Sequence, residues 1–198
     1  MLTTIAVVVA EGEVSMDIPE GAVLEDGVLL TGSFGSGKST VAVEIADLLE
    51  RRGTPYALID LDFLGWFGTG RPTDAGDDAD HDDLSPLLLA NLAAVAANYR
   101  RAGIGRFVLA HTVDSLTEVQ EIRAALDAPL RVVRLDVPLE VIERRLGADP
   151  TAGRRDDLRR AGVWLAQGRG HGLPDLAVSN ERPVRQVALE ILAWLGWL

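Results

Sequence analysis

The 198-residue sequence contains no cysteine. Disulfides, thiolate metal sites and cysteine nucleophiles are therefore excluded, and a reducing compartment is the expected setting. Lysine is almost as scarce: of 19 basic residues 18 are arginine and one is lysine, Lys38. Aromatic residues make up 5%. Positive charge is in deficit, with 30 acidic residues against 19 basic ones, a formal net charge of −11. Such a chain repels phosphate backbones and anionic membranes, so sequence-independent nucleic-acid binding is disfavoured. Long apolar runs are missing too. A spanning helix needs about 18 uninterrupted apolar residues, and the most apolar segment, Leu84–Ala97, is broken by Pro86 and Asn91. The stretch Thr4–Ala10 is short, has no basic residue ahead of it, and does not read as a signal peptide. The expectation is a soluble, cytoplasmic protein with no nucleic-acid and no membrane partner.

What is present is ordinary for a globular chain: 47% hydrophobic and 25% charged residues. A chain of this size buries roughly 70% of its unfolded surface without staples. Strand and helix signals alternate. Val28–Thr31 is a continuous apolar run, as in a strand covered on both faces of a parallel sheet. Further strands are predicted at Tyr56–Ile59, Arg106–Val113, Leu130–Val137 and Leu176–Ser179. Helices are predicted at Lys38–Arg51, from Ser85 to Arg101, from Ser115 to Leu126, at Pro138–Leu146 and at Pro183–Leu195. Pro86 in a first turn and the capping-box spacing of Ser115 and Glu118 mark two of the starts. The arginine-rich stretch 147–170 is expected to hold a short helix. Five buried strands with crossover helices predict an α/β fold with a doubly wound, mainly parallel five-stranded sheet and helices on both faces. Residues 1–26 are expected to form an N-terminal, hairpin-like β extension to the main domain, residues 27–198.

Gly32-Ser33-Phe34-Gly35-Ser36-Gly37-Lys38-Ser39 completes the pattern G-x-x-x-x-G-K-[ST] between a predicted strand and a predicted helix. Glycines let the backbone curl so that successive N–H groups face phosphate oxygens, and the helix adds its positive end. Lys38 reaches the β- and γ-phosphates and the Ser39 hydroxyl coordinates Mg²⁺. The sole lysine of the chain stands at the one position where the pattern demands it. Residues 32–40, Thr40 included, are therefore the expected ATP phosphate site.

Asp60-Leu61-Asp62 closes the second predicted strand, at the sheet edge where such folds bind ligands. With Leu61 between them, the two carboxylates are expected to take different tasks. One is expected to hold Mg²⁺ and the other to accept a hydroxyl proton. Arg144, Arg145, Arg154, Arg155, Arg159 and Arg160 face only Asp149, Asp156 and Asp157 over the same stretch. They read as a lid over transferring phosphates, about residues 147–170, with Arg154 and Arg155 in its central turn. His111, at the end of the third strand, is a candidate to touch acceptor or γ-phosphate. The six aspartates and His81 of residues 74–83 lack EF-hand spacing and read as a solvated loop.

Together the phosphate loop, the Asp-x-Asp pair and the arginine lid resemble the small P-loop kinases. The likeness is to the gluconate kinase, shikimate kinase, adenylylsulfate kinase and chloramphenicol phosphotransferase group, over about residues 27–198. The resemblance implies ATP with Mg²⁺ and phosphoryl transfer to the hydroxyl of a small molecule. It implies Asp60 as the metal-side carboxylate, Asp62 as the base, and a loop with Asn180 and Arg182 over the adenine. One departure concerns the acceptor. Adenylylsulfate kinases usually place an arginine soon after the aspartate pair, whereas here Phe63-Leu64-Gly65-Trp66-Phe67 follows and the first arginine is Arg71. That argues against a strongly anionic acceptor, and Trp66 and Phe67 either stack on an acceptor ring or pack internally. The alternative class is a partner-driven ATPase or nucleotide switch. It needs a carboxylate after the third strand, a place only Asp114 is near enough to fill.

Overall fold

A computed structural model describes residues 25–66, 84–147 and 152–198, the side chains of 152–154 apart. The expected N-terminal extension (residues 1–26) falls almost wholly outside these residues, as does the acidic stretch 74–83. Strand β1 (Asp26–Thr31) lies at the centre of a five-stranded, all-parallel sheet in the order β2-β3-β1-β4-β5. Its partners are β2 (Ala57–Asp60), β3 (Arg106–Ala110), β4 (Leu130–Asp136) and β5 (Leu176–Ser179). The helices are α1 (Lys38–Glu50), α2 (Leu61–Leu64), α3 (Pro86–Arg101), α4 (Leu116–Leu126), α5 (Leu139–Gly147), α6 (Ala152–Ala166) and α7 (Val184–Leu195).

The unbroken apolar run of β1 follows from burial on both faces. Val28 and Leu30 face α1 and α7, among Val41, Ile45, Val187 and Ile191. Leu29 faces the other way, towards α3 and α4, among Leu92, Ile122 and Leu126. Leu29 sits in register between Leu109 and Val132 and is fully buried. Its replacement by alanine is expected to cost about 3 kcal/mol, the middle of the range for buried leucines. For a chain of this size that lowers Tm by about 6–12 °C, to be read by thermal melting followed by circular dichroism. Among the described residues no helix is long and apolar enough to cross a membrane.

Both sequence-marked helix starts are capped. Ser85 accepts from the Leu88 N–H, and Ser115 accepts from the Glu118 N–H at 3.2 Å. Three elements differ from expectation. The third strand ends at Ala110 rather than Val113, because the chain there turns across the end of β1: Thr112 donates to the Gly32 carbonyl and the Val113 N–H to the Thr31 hydroxyl. The arginine-rich segment holds a 15-residue helix, not a short one. Ala161 and Trp164 anchor that helix inward despite Gly162. Finally, the strand predicted to close in Asp60-Leu61-Asp62 stops at Asp60, whose side chain accepts from the Asp62 N–H and starts α2.

Candidate functional site

The chain winds from β1 to β2 and β3 on one side and to β4 and β5 on the other. The crevice at the carboxyl end of β1 is thus a switch point, the usual ligand position in such sheets. Residues 32–37 fill it as a tight loop. Gly32 has φ +140° and a Cβ there would meet the Leu135 carbonyl at 2.7 Å; at Gly37, φ +94°, it would meet Asn180 Nδ2 at 2.7 Å. No other residue fits at either place. Ser33 and Ser36 are buried, and Thr40 is exposed in the first turn of α1.

Lys38 is the first residue of α1 and is buried. Its ammonium donates to the carbonyls of Gly32 at 3.0 Å and Ser33 at 3.1 Å, leaving one of its three hydrogens for a ligand. Burial lowers its pKa to about 8, against the opposing pull of Asp62, Asp60 and Asp157. The sign of the consequence is fixed. Between about 8 and 10.5 the unfolded chain holds this proton and the folded one does not, so stability from this group rises with pH. A bound triphosphate favours the ammonium, so affinity runs the other way. ATP binding is expected to take up a proton above pH 8 and to weaken by up to about tenfold per pH unit. Calorimetry in two buffers of different ionisation enthalpy measures that uptake, and binding without uptake at pH 9 refutes it.

The two aspartates have separate partners, as expected. On a continued strand both side chains would share one face, and the helix start at Asp60 is what separates them. Asp60 accepts from the Ser39 hydroxyl at 2.7 Å. Asp62, one residue into α2, lies 2.7 Å from His111 Nδ1. Partial loss of solvent pushes the Asp62 carboxyl up, but the His111 hydrogen bond and the charges of His111 and Lys38 outweigh it, and the net direction is down. Asp62 is therefore a carboxylate at neutral pH. Asp114 does not reach Ser39: its carboxylate accepts from the Trp164 indole N–H and from Arg169. A hydroxyl and a carboxylate in contact are hard oxygen donors of the kind Mg²⁺ takes, with phosphates and water completing its shell. Ser39 and Asp60 fit that ion.

Two more residues bind the loop together. Arg145 of α5 donates to the Ser36 carbonyl at 3.2 Å and to the Asn180 carbonyl at 2.6 Å, and Asn180 Nδ2 donates to the same Ser36 carbonyl at 2.7 Å. Arg182 is exposed and paired with Glu190. Helix α6 reaches the loop through Phe34, which packs on Val137, Ile142 and Ala161. The Arg160 guanidinium lies 5.7 Å from the Phe34 ring centre, and Lys38 5.6 Å from it. Asp157 of α6 feels both cations, but burial pushes its carboxyl up on balance. Arg155 is exposed on α6; Arg154 lies in the same helix, its side chain outside the described residues. The sequence offered no signal for Asp157, and Arg145 was one arginine among six. Trp66 does not pack internally. It is 79% exposed and stacks on exposed Phe63 at 6.0 Å, one turn from Asp62, while Phe67 lies outside the described residues.

Comparison with known proteins bears on the family and the fold. The profile of the family described as AAA domain matches residues 28–174. Among solved structures, the Mycobacterium tuberculosis APS kinase CysC, in complex with AMPPNP and APS, is 25% identical. It aligns over 87% of this chain and 98% of its own with a TM-score of 0.54. A gluconokinase from Sinorhizobium meliloti is 22% identical over 88% and 93% of the two chains, TM-score 0.55. Shikimate kinase from Acinetobacter baumannii is 19% identical over 88% and 94%, TM-score 0.51. No curated protein sequence matches the chain. The fold is that of the small P-loop kinases.

Proposed function

Because the chain belongs to the AAA domain family, we propose that it is an ATP-dependent kinase that transfers the γ-phosphoryl group to a hydroxyl of a small molecule. The observation that carries this reading is the division of labour between two carboxylates. Asp60 is engaged by the Ser39 hydroxyl, whereas the Asp62 carboxylate is engaged by His111 and leaves Ser39 to Asp60. An ATPase switch needs the first carboxylate; an acceptor-directed enzyme needs the second. The kinase likeness of the APS kinase, at 25% identity, points the same way.

In the reaction, Asp62 accepts the proton of the acceptor hydroxyl as its oxygen bonds to the γ-phosphorus. The bond from that phosphorus to the β–γ bridging oxygen breaks, and ADP leaves with its electron pair. Lys38 and the backbone N–H groups of residues 33–39, apart from that of Ser36, which donates to the Ser33 carbonyl, neutralise charge on the phosphates. Mg²⁺, held by Ser39 and Asp60, supplies further charge neutralisation when bound. Helix α6, which carries Arg154, Arg155 and Arg160 in its sequence, would supply the lid side, and the loop that carries Asn180 and Arg182 the adenine side. The acceptor is a free small molecule, neither nucleic acid nor membrane lipid, in keeping with the −11 charge. The exposed Phe63–Trp66 pair favours an acceptor with a ring face. The setting is the cytoplasm, where ATP is at hand.

The test is ADP release from ATP·Mg²⁺ with and without pools of sugars, polyols, nucleosides and antibiotics. Stimulation by one pool supports the proposal and narrows the acceptor to that pool. Tight ATP binding with no stimulation by any pool overturns it in favour of a partner-driven ATPase.

A further inference from the structure

Resting on the reading of Asp62 as the base, we infer that His111 is a positioning residue: its imidazole holds one oxygen of Asp62 so that the other faces the acceptor. Asp62 needs such help. It sits in the first turn of a four-residue helix and its side chain is 60% exposed, so its two torsions are otherwise free. His111 is the opposite. Its side chain is 18% exposed, and its backbone N–H donates to the Leu30 carbonyl of β1 at 3.1 Å. Thr112 donates to the Gly32 carbonyl at 3.1 Å, and the Val113 N–H to the Thr31 hydroxyl at 3.0 Å. Residues 111–113 are thus sewn to the last residues of β1 and the first of the phosphate loop. His111 is fixed to the same strand end that places the phosphates, and it passes that reference to the base through one 2.7 Å bond from Nδ1 to Asp62 Oδ1.

The consequence is atomic. Oδ1 is occupied, so Oδ2 receives the acceptor proton. The Nδ1–H stays on the imidazole throughout, and no proton crosses the His111–Asp62 bond. His111 therefore acts through Asp62 and touches neither substrate. A base misplaced by about 1 Å costs up to about 100-fold in rate, which is the scale of effect this bond controls.

The experiment uses the whole chain with the acceptor found in the pools above, and compares His111→Ala with His111→Asn. Asparagine carries an N–H donor near the place of Nδ1. His111→Ala is expected to lower kcat by about 10–100-fold, with acceptor KM and nucleotide Kd within twofold of the parent protein. His111→Asn is expected to recover kcat to within about fivefold of it. A purely packing role for the imidazole would instead lower Tm alike in both variants and give no recovery. Imidazole ¹⁵N spectra supply a readout apart from turnover: the His111 Nδ1 proton signal should move in Asp62→Asn. The inference is overturned by a kcat within twofold in His111→Ala, by an Asn variant as slow as Ala at unchanged Tm, or by Nδ1 signals indifferent to Asp62. A parent protein that phosphorylates nothing is a different failure. It removes the kinase reading and this inference with it.

Discussion

Asp62→Asn is expected to lower kcat by about 10²–10⁴-fold, the range for losing a positioned general base, while ATP affinity stays within about twofold. The substitution is close to isosteric, and its amide oxygen can still accept from His111 Nδ1, 2.7 Å away in the parent protein. Geometry is kept and only basicity is lost. The direction of the Asp62 pKa bears on the size of the effect. His111 and Lys38 hold this carboxyl below its ordinary value despite its partial desolvation, which makes it a weak base. Weak bases suffice where the transition state is loose, because the acceptor proton leaves late. The loss should then fall towards the lower half of the range. Steady-state ADP release at saturating acceptor measures it, and a variant within threefold of the parent would remove Asp62 from the chemistry.

The second large effect divides activity from stability. Lys38→Met keeps the apolar stem and removes the charge. ATP affinity and turnover together are expected to fall by at least about 100-fold, since a charged clamp on the phosphates is lost. Stability is expected to rise. Lys38 loses its solvent shell on folding, and a pKa lowered from 10.5 to about 8 marks the cost of holding it charged at pH 7. At about 1.4 kcal/mol per unit, that cost is on the order of 3 kcal/mol, part of which the lost bonds to the Gly32 and Ser33 carbonyls offset. A net gain of about 1–2 kcal/mol raises Tm by several degrees in a chain of this size. Thermal melting of the two empty proteins at pH 7 decides the point, and a variant that melts lower refutes the argument. Active sites commonly trade stability for function in this way.

Much of this site is legible in the sequence because its information is local. The phosphate loop depends on glycines at 32, 35 and 37 and on Lys38, all within eight residues, and the helix that follows begins where the pattern demands. The starts at Ser85 and Ser115 are equally local, each a side chain answering an N–H three residues on. The five-stranded sheet follows from runs such as Val28–Thr31, whose lack of alternation already implies two covered faces. What stays hidden are meetings between distant segments. Arg145 and Asn180 share the Ser36 carbonyl across more than a hundred residues of chain. Asp114 is drawn off to Trp164 and Arg169. His111 reads as a strand-end residue, but only the order β2-β3-β1 brings it to Asp62. The start of α2 is hidden for another reason: Asp60 is at once the last strand residue and the cap of the next helix.

The solitary lysine has a chemical consequence. Apart from the α-amino group, Lys38 Nζ is the one primary amine of the chain. With a pKa of about 8, about one copy in ten carries it as the uncharged nucleophile at pH 7, against fewer than one in a thousand for an ordinary lysine. It is buried under Phe34 and the carbonyls of its own loop, so small acylating reagents in bulk solvent meet little of it. A nucleotide that carries an electrophile at its terminal phosphate would be delivered to it, and because bound phosphates favour the ammonium, the adduct would form faster as the pH is raised above 8. The protein thus holds a single addressable amine at its phosphate site, and the mass of one adduct would count occupied sites without any label engineered into the chain.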